Sequence, residues 1–116
     1  MYIIMIYIFK MDVYKKLKLC TSFQWDEGNA GKNWLKHRVS PSECEQVFFH
    51  LPLVSSADVK HSGEEDRYYA LGKTDMGRLL FIVFTIRGKN IRIISARDMN
   101  KKERRIYINY EKDSKV

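Results

Sequence analysis

The stretch IRIISARDMNKKERRIYINY, residues 91–110, holds two arginines that could do chemistry. Ile91, Ile93 and Ile94 pattern a buried strand, yet Arg92 sits among them and Arg97 follows three residues later. Removing a guanidinium from water without partners costs several kcal/mol. Arg92 is therefore either half of an ion pair, with a carboxylate such as Asp26 or Glu103, or part of an anion-binding site. Arg67, at the head of the run RYYALGK, is a second strand arginine of the same kind. Both stay ionised at any physiological pH, and both can fork onto two oxygens of one anion.

Charge distribution favours a polyanionic partner. The formal net charge is +7, and residues 85–116 hold ten Lys/Arg against four Asp/Glu, while residues 1–84 are nearly balanced. Such asymmetry suits nucleic acid, an acidic protein or an anionic surface; a solvated basic helix without a partner is the plain alternative.

The elements that must position these residues are readable in outline. At 116 residues and 45% apolar content the chain can bury one core, which implies one domain. Phe23–Asp26 reads as a short strand, with Asp26 capping a helix that runs to about His37. Ser40-Pro41-Ser42-Glu43 is a capping box with Pro at the first helical position, opening a second helix. LPLVSSA, RYYALGK, LLFIVFTI and IRIISAR then read as four strands with short connections, hence an antiparallel meander. Asn100 and Glu103 form a second capping box for a C-terminal helix carrying Tyr107 and Tyr110 on one stripe. The expected fold is α+β.

Hairpin parity makes a sharper expectation. A two-residue Gly88-Lys89 loop pairs Ile86 with Ile91, Thr85 with Arg92, Phe84 with Ile93 and Leu80 with Arg97. Arg92 then shares a face with Thr85, Val83 and Ile94, and Arg97 lies on the opposite face unless a bulge intervenes.

Cys20 and Cys44 have neither metal-ligand nor disulfide spacing, so no metal or cofactor and a reducing compartment are expected. The apolar start Tyr2–Phe9 is too short to span a bilayer, which needs roughly 20 residues, and lacks a signal peptide's flanks. An added strand, or an upstream start codon with Met11 the true start, accounts for it. A cytoplasmic protein without membrane association is the expectation.

The ordered set Trp25-Asp26, Asn33-x-x-Lys36-His37-x-Val39-Ser40, a short helix ending in VFF, RYYALG, GRLLFIVFT, IRIISAR and ERR-x-Tyr closely resembles the BrnT family of bacterial toxins. The resemblance divides the chain into an extension at 1–22 (extra strand or disordered), a toxin domain at 23–110 and a tail at 111–116. It implies a RelE-like fold with two N-terminal helices before the meander, and a metal-independent endoribonuclease that inhibits translation. It also implies a BrnA-like antitoxin with a ribbon-helix-helix domain, which would reach operator DNA on the toxin's behalf, the pair forming a heterotetramer.

RNA cleavage without metal needs a base for the 2′-hydroxyl, cations for the phosphorane charge and an acid for the leaving oxygen. Under this resemblance the catalytic candidates are His37 as base, Arg92, Arg67 and Arg97 as cations, and Tyr107. His37 has a surface-capping alternative, and Tyr107 either stacks on a base or holds the last helix down. Glu65, in SGEED, is either a rival base or part of a solvated acidic loop. Lys36, Arg38, Lys101, Lys102, Arg104 and Arg105 are the candidates for tracking the RNA backbone. Asn29 stands where the family usually has lysine, and Arg38 where it usually has glycine after Lys-His. Without that glycine the turn before Val39 is expected to be built differently, and Arg38 to add a phosphate contact. Two other readings stay open: a non-catalytic antitoxin-binding module in a repressor complex, and a degenerate, inactive toxin.

Overall fold

The computed structural model describes residues 13–114, so the apolar run Tyr2–Phe9, with its readings as an added strand or a start-codon artefact, lies outside the described residues. Residues 13–19 are helical (α1). They are followed by β1 (Ser22–Phe23), α2 (Lys32–His37), α3 (Pro41–Val47), β2 (Val54–Ala57), β3 (Tyr68–Lys73), β4 (Leu79–Arg87), β5 (Asn90–Asp98) and α4 (Lys101–Ser114). A 3-10 turn, Val59–His61, interrupts the β2–β3 connection.

The α+β class and the β2 to β5 meander match the reading of the sequence; the sheet as a whole differs from it. It has five strands in the order β1-β5-β4-β3-β2, and β1 runs parallel to β5, so the sheet is mixed rather than purely antiparallel. Helix α1 is an addition too: Val13 is 2% exposed and joins the main core, with Leu17 and Cys20 packed against it. At the other end, α4 runs through to Ser114, so the first tail residues continue the helix.

Both capping boxes form. The Ser40 hydroxyl accepts from the Glu43 N–H (3.2 Å) and the Glu43 carboxylate from the Ser40 N–H (3.0 Å). Asn100 Oδ1 accepts from the Glu103 N–H (2.8 Å), and Glu103 Oε1 from the Asn100 N–H (2.9 Å). The expected first helix is shorter than Asp26–His37. Residues 27–31 form turns, with the Gly28 N–H donating to Asp26 Oδ1 (2.8 Å), and helix begins only at Lys32. Two glycines in that stretch disfavour helix, by up to about 1 kcal/mol each.

Alternation along the strands separates two apolar clusters. Ala70, Leu80, Ile82, Phe84, Ile93 and Ala96 meet Val13, Val39, Cys44 and Val47 in the main core, on the side of α1 to α3. Leu71 meets Met99 and the fully buried Tyr107 in a smaller cluster, with Phe81 and Leu79 packed on it. Helix α4 thus covers one end of the second sheet face. The helix layer on the first face sits close: a Cβ at Gly72 would come within 2.5 Å of the Val47 side chain.

The β4–β5 hairpin turns on Gly88, at φ +61°, and its first pairs are those expected: Ile86 with Ile91, Thr85 with Arg92, Phe84 with Ile93. Beyond them the register shifts. Val83 pairs with Ser95, Ile82 with Ala96, Phe81 with Arg97 and Leu80 with Asp98. One extra residue in β5 makes a bulge, which overturns the expected Leu80–Arg97 pair and carries Arg97 to the face of Arg92. Partners for the bulged edge come from the preceding segment. Asn29 Nδ2 donates to the Ile93 carbonyl (3.0 Å), and Asn33 Oδ1 accepts from the Ala96 N–H (3.0 Å).

Candidate active site

The open part of the second sheet face carries a row of cations. Register places Arg92 opposite Thr85, and one step beyond the Tyr68–Phe84 pair Arg67 enters beside Thr85 on the next strand. Arg87, two residues along β4 from Thr85, shares that face. With Lys32 and His61 these residues line a cleft of about 440 Å³, rimmed on one side by Glu64 and Glu65.

Two of the arginines are occupied by carboxylates. Arg92 reaches Asp26 through both terminal nitrogens, at 2.7 and 3.0 Å, with its own side chain 15% exposed and that of Asp26 half exposed. The Arg92 hydrogen bond holds the Asp26 carboxyl below its ordinary pKa against the opposing cost of burial, with lesser help from the Gly28 N–H. Arg87 holds Glu65 at 2.7 and 2.8 Å, and that bond keeps the Glu65 carboxyl low as well. A carboxylate so paired is a weak base at neutral pH, and Glu65 takes the place of an acidic rim. Among the described residues no carboxylate lies within ion-pair distance of the Arg67 guanidinium, which leaves it the readiest fork for an incoming anion.

The other expected residues lie elsewhere. Arg97 shares the face of Arg92, but stands roughly 13 Å further along, four residues of β4 away. Its guanidinium lies 4.3 Å from the Phe81 ring centre and forks onto Glu103 at 2.8 and 3.0 Å, clamping the start of α4. Tyr107 is fully buried, and its hydroxyl donates to the Pro52 carbonyl (2.7 Å). Burial, with the Glu111 charge, pushes that hydroxyl up to about 12. Of its two readings, the structure shows the one that holds the last helix down.

His37 ends α2 beside a different cluster. Arg78 is its centre, bonded to Asp98 (2.7 and 3.2 Å), Glu43 (3.0 Å) and the carbonyls of Arg38 (2.9 Å) and His37 (3.3 Å). The Arg78 hydrogen bond holds the Asp98 carboxyl low, with smaller help from the charges of Arg104 and His37. Asp98 is six residues from Arg92 along β5, roughly 20 Å, so His37 and Arg92 do not meet in one site. Lys36, Arg38, Lys101, Lys102, Arg104 and Arg105 are all exposed, on α2 and the first turns of α4. They belong to this second, His37 end of the molecule.

Arg38 differs from what was expected of it. Arg38 adopts the left-handed conformation itself, φ 55° and ψ 39°, so the turn before Val39 is not built differently. The Arg38 N–H still donates to the Trp34 carbonyl (3.0 Å) and the Val39 N–H to that of Asn33 (3.3 Å), while the guanidinium lies 5.5 Å from the Trp34 ring centre. Asn29 is 2% exposed and wholly engaged, bonding Gln24, Asp26 and Ile93.

Residues 25–103 match the sequence model of the family described as "Ribonuclease toxin, BrnT, of type II toxin-antitoxin system". The chain belongs to the BrnT family. Among solved structures it is similar to the ribonuclease toxin BrnT of Brucella abortus, at 20% identity and a TM-score of 0.48, over 70% of this chain and 99% of that one. No curated protein matches. The BrnT match spans Asp26, Lys32, His61, Arg67, Arg87 and Arg92, and so contains the whole cleft, whereas Arg104, Arg105 and Tyr107 fall beyond it. Membership in a toxin–antitoxin family also implies an antitoxin partner.

Lys32, His61 and Arg87 are cleft residues that the reading of the sequence missed, and His61 alone of them could have been found from a local pattern. Its signal was Asp58-x-x-His61, an acidic cap three residues ahead of a histidine, just before the SGEED loop.

Proposed function

We propose that this BrnT-family chain is an endoribonuclease toxin that cleaves RNA without a metal ion and thereby stops translation, with the Arg67–Arg92 cleft as its active site. The observation that carries the reading is the row of arginines across β5, β4 and the entry to β3, with Arg67 unoccupied by any described carboxylate and Arg92 held by a half-exposed one. A phosphate entering the cleft meets the Arg67 fork first and can exchange with Asp26 on Arg92, trading one anionic partner for another. Two guanidiniums, one fixed on a strand and the other on the hydrogen-bonded segment that leads into β3, are suited to the charge that grows on phosphorus in the transition state, because their orientation needs no rearrangement as the reaction proceeds. The described residues bring no three potential metal ligands together, and the arginines are the cations available to take up that charge.

In this reading the basic end formed by Lys36, Arg38, Lys101, Lys102, Arg104 and Arg105 tracks the RNA backbone, with His37 among them. Arg97 keeps the start of α4 in place through Glu103, away from the cleft. The fold is taken as RelE-like. The partner is taken as a BrnA-like antitoxin whose ribbon-helix-helix domain carries the pair to operator DNA, as a heterotetramer, in the cytoplasm. No helix among the described residues is long and apolar enough to cross a membrane.

A second reading has an observation of its own. Arg92 and Arg97 each hold a carboxylate with both forks, as in a module whose arginines serve only the fold and whose function is antitoxin binding. Induction of the chain in cells with and without the antitoxin, with RNA ends mapped, separates the two. New cleavage ends that appear only without the partner support the toxin; growth and RNA unchanged in both would contradict it.

A further inference from the structure

We propose that His61, held by Asp58, is the general base of the cleft: its Nε2 takes the proton of the 2′-hydroxyl that attacks phosphorus. The inference rests on the ribonuclease reading and supplies the proton-transfer group that reading lacks. Of the three histidines in the chain, only His61 lines the cleft with Arg67 and Arg92. His37 belongs to the Arg78 cluster, and His50 presents Nε2 to Asp75 at 2.6 Å, outside the cleft.

The ring's surroundings fix its chemistry. Nδ1 of His61 lies 3.0 Å from each carboxylate oxygen of Asp58. A carboxylate there accepts the Nδ1 proton, so the neutral ring carries its lone pair on Nε2. Asp58 is mostly covered, whereas the His61 side chain is about two-thirds exposed, leaving the outer nitrogen open to a substrate. Asp58 is the positioning residue, and His61 the catalytic one.

The loop that carries the pair is closed onto the phosphate-binding arginine. The Asp58 N–H donates to the Arg67 carbonyl (2.7 Å). Ser62 Oγ donates to the Asp58 carbonyl (2.8 Å) and accepts from the Arg67 N–H (3.0 Å). Base and phosphate fork are thus set by one short, hydrogen-bonded loop rather than by separate elements. The rival base on the cleft rim, Glu65, already spends both oxygens on Arg87.

The step balances as follows. The 2′-oxygen forms a bond to phosphorus as Nε2 removes its proton, the bond from phosphorus to the 5′-oxygen breaks, and that oxygen takes a proton from water. The imidazolium then returns its proton to water. The products are a 2′,3′-cyclic phosphate and a 5′-hydroxyl, with no oxidant, metal or nucleotide consumed.

The test uses the full chain in a cell-free translation extract programmed with a reporter mRNA, so that cleavage is seen with or without ribosomes. RNA ends are mapped for the parent and for His61→Ala, Arg92→Ala and His50→Ala. His61→Ala should lower the cleavage rate about 10²–10⁴-fold, with an unshifted melting curve because the side chain is exposed, and added imidazole should restore part of the rate. His50→Ala should cleave as the parent does. His61→Ala cleaving within about threefold of the parent, or a loss that imidazole does not relieve, overturns the assignment; with Arg92→Ala inactive, the ribonuclease reading still stands. A parent chain that cleaves nothing overturns both.

Discussion

Arg92 and Arg97 project from the same face of the sheet, although five positions apart on one strand, because a single extra residue between Ile93 and Ser95 shifts the register of β5 against β4. Odd spacing would otherwise set them on opposite faces. Arg92 precedes the bulge and takes its place in the cleft from the unshifted pair with Thr85, whereas the bulge carries Arg97 to the same face roughly 13 Å further along, where it clamps α4 through Glu103.

Asn29 and Asn33 sustain that bulge, and Asn29→Ala tests it. The substitution strands the Ile93 carbonyl and the Asp26 N–H, both of which now bond the Asn29 amide. Losing buried hydrogen bonds of this kind costs about 2–3 kcal/mol, so the melting temperature should fall on the order of 10 °C. A melt within a degree or two of the parent would mean that the bulge holds itself.

Arg38 sits at φ 55°, where only glycine is unstrained. Arg38→Gly should raise stability by up to about 1 kcal/mol, the strain relief partly offset by the lost contact with Trp34. Arg38→Val, β-branched, should lower it. Thermal melts of the pair check the order; valine more stable than arginine would contradict the assigned conformation.

Acid should unfold the protein through its paired carboxylates. Arg78 holds the Asp98 carboxyl below its usual range, and Arg92 does the same for Asp26. A carboxyl whose folded pKa lies below the unfolded value of about 3.9 contributes stability that is fully present above that value and is lost as pH falls through the folded one. Melting temperature should therefore hold down to about pH 5 and drop below about pH 4. Arg78→Gln should flatten the drop. A parent melt unchanged from pH 5 to pH 3 would contradict the pairs.

Local signals in the sequence reached far into this fold. The capping boxes at Ser40 and Asn100 are complete within four residues, and the Gly88-Lys89 loop fixes the first three hairpin pairs, so each could be read without tertiary knowledge. The bulge could not, because its cause is two asparagines some sixty residues upstream that become its partners only after the sheet forms. The parallel pairing of β1, two residues long, left no periodicity to detect. The site followed the same division. Arg92 stood out as a charge inside an apolar strand and Arg67 as one at the edge of another, whereas His61 lies in a loop whose closure on Arg67 is tertiary, and His37, singled out for its two neighbouring cations, lies beside the Arg78 cluster.

The central claim is that the Arg67–Arg92 cleft binds and stabilises a reacting phosphate, and the cleavage rate of Arg92→Ala tests it most directly. Because Asp26, the partner left behind, is half exposed, it can be solvated in place, and the melting temperature should shift by less than about 5 °C. RNA cleavage in the programmed extract should fall on the order of 10²–10³-fold. Arg92→Lys should recover little of it, since a single ammonium cannot reproduce the two-pronged contact. A folded Arg92→Ala chain that cleaves RNA at the parent's rate would show that the arginine serves Asp26 alone, and that the active site lies elsewhere.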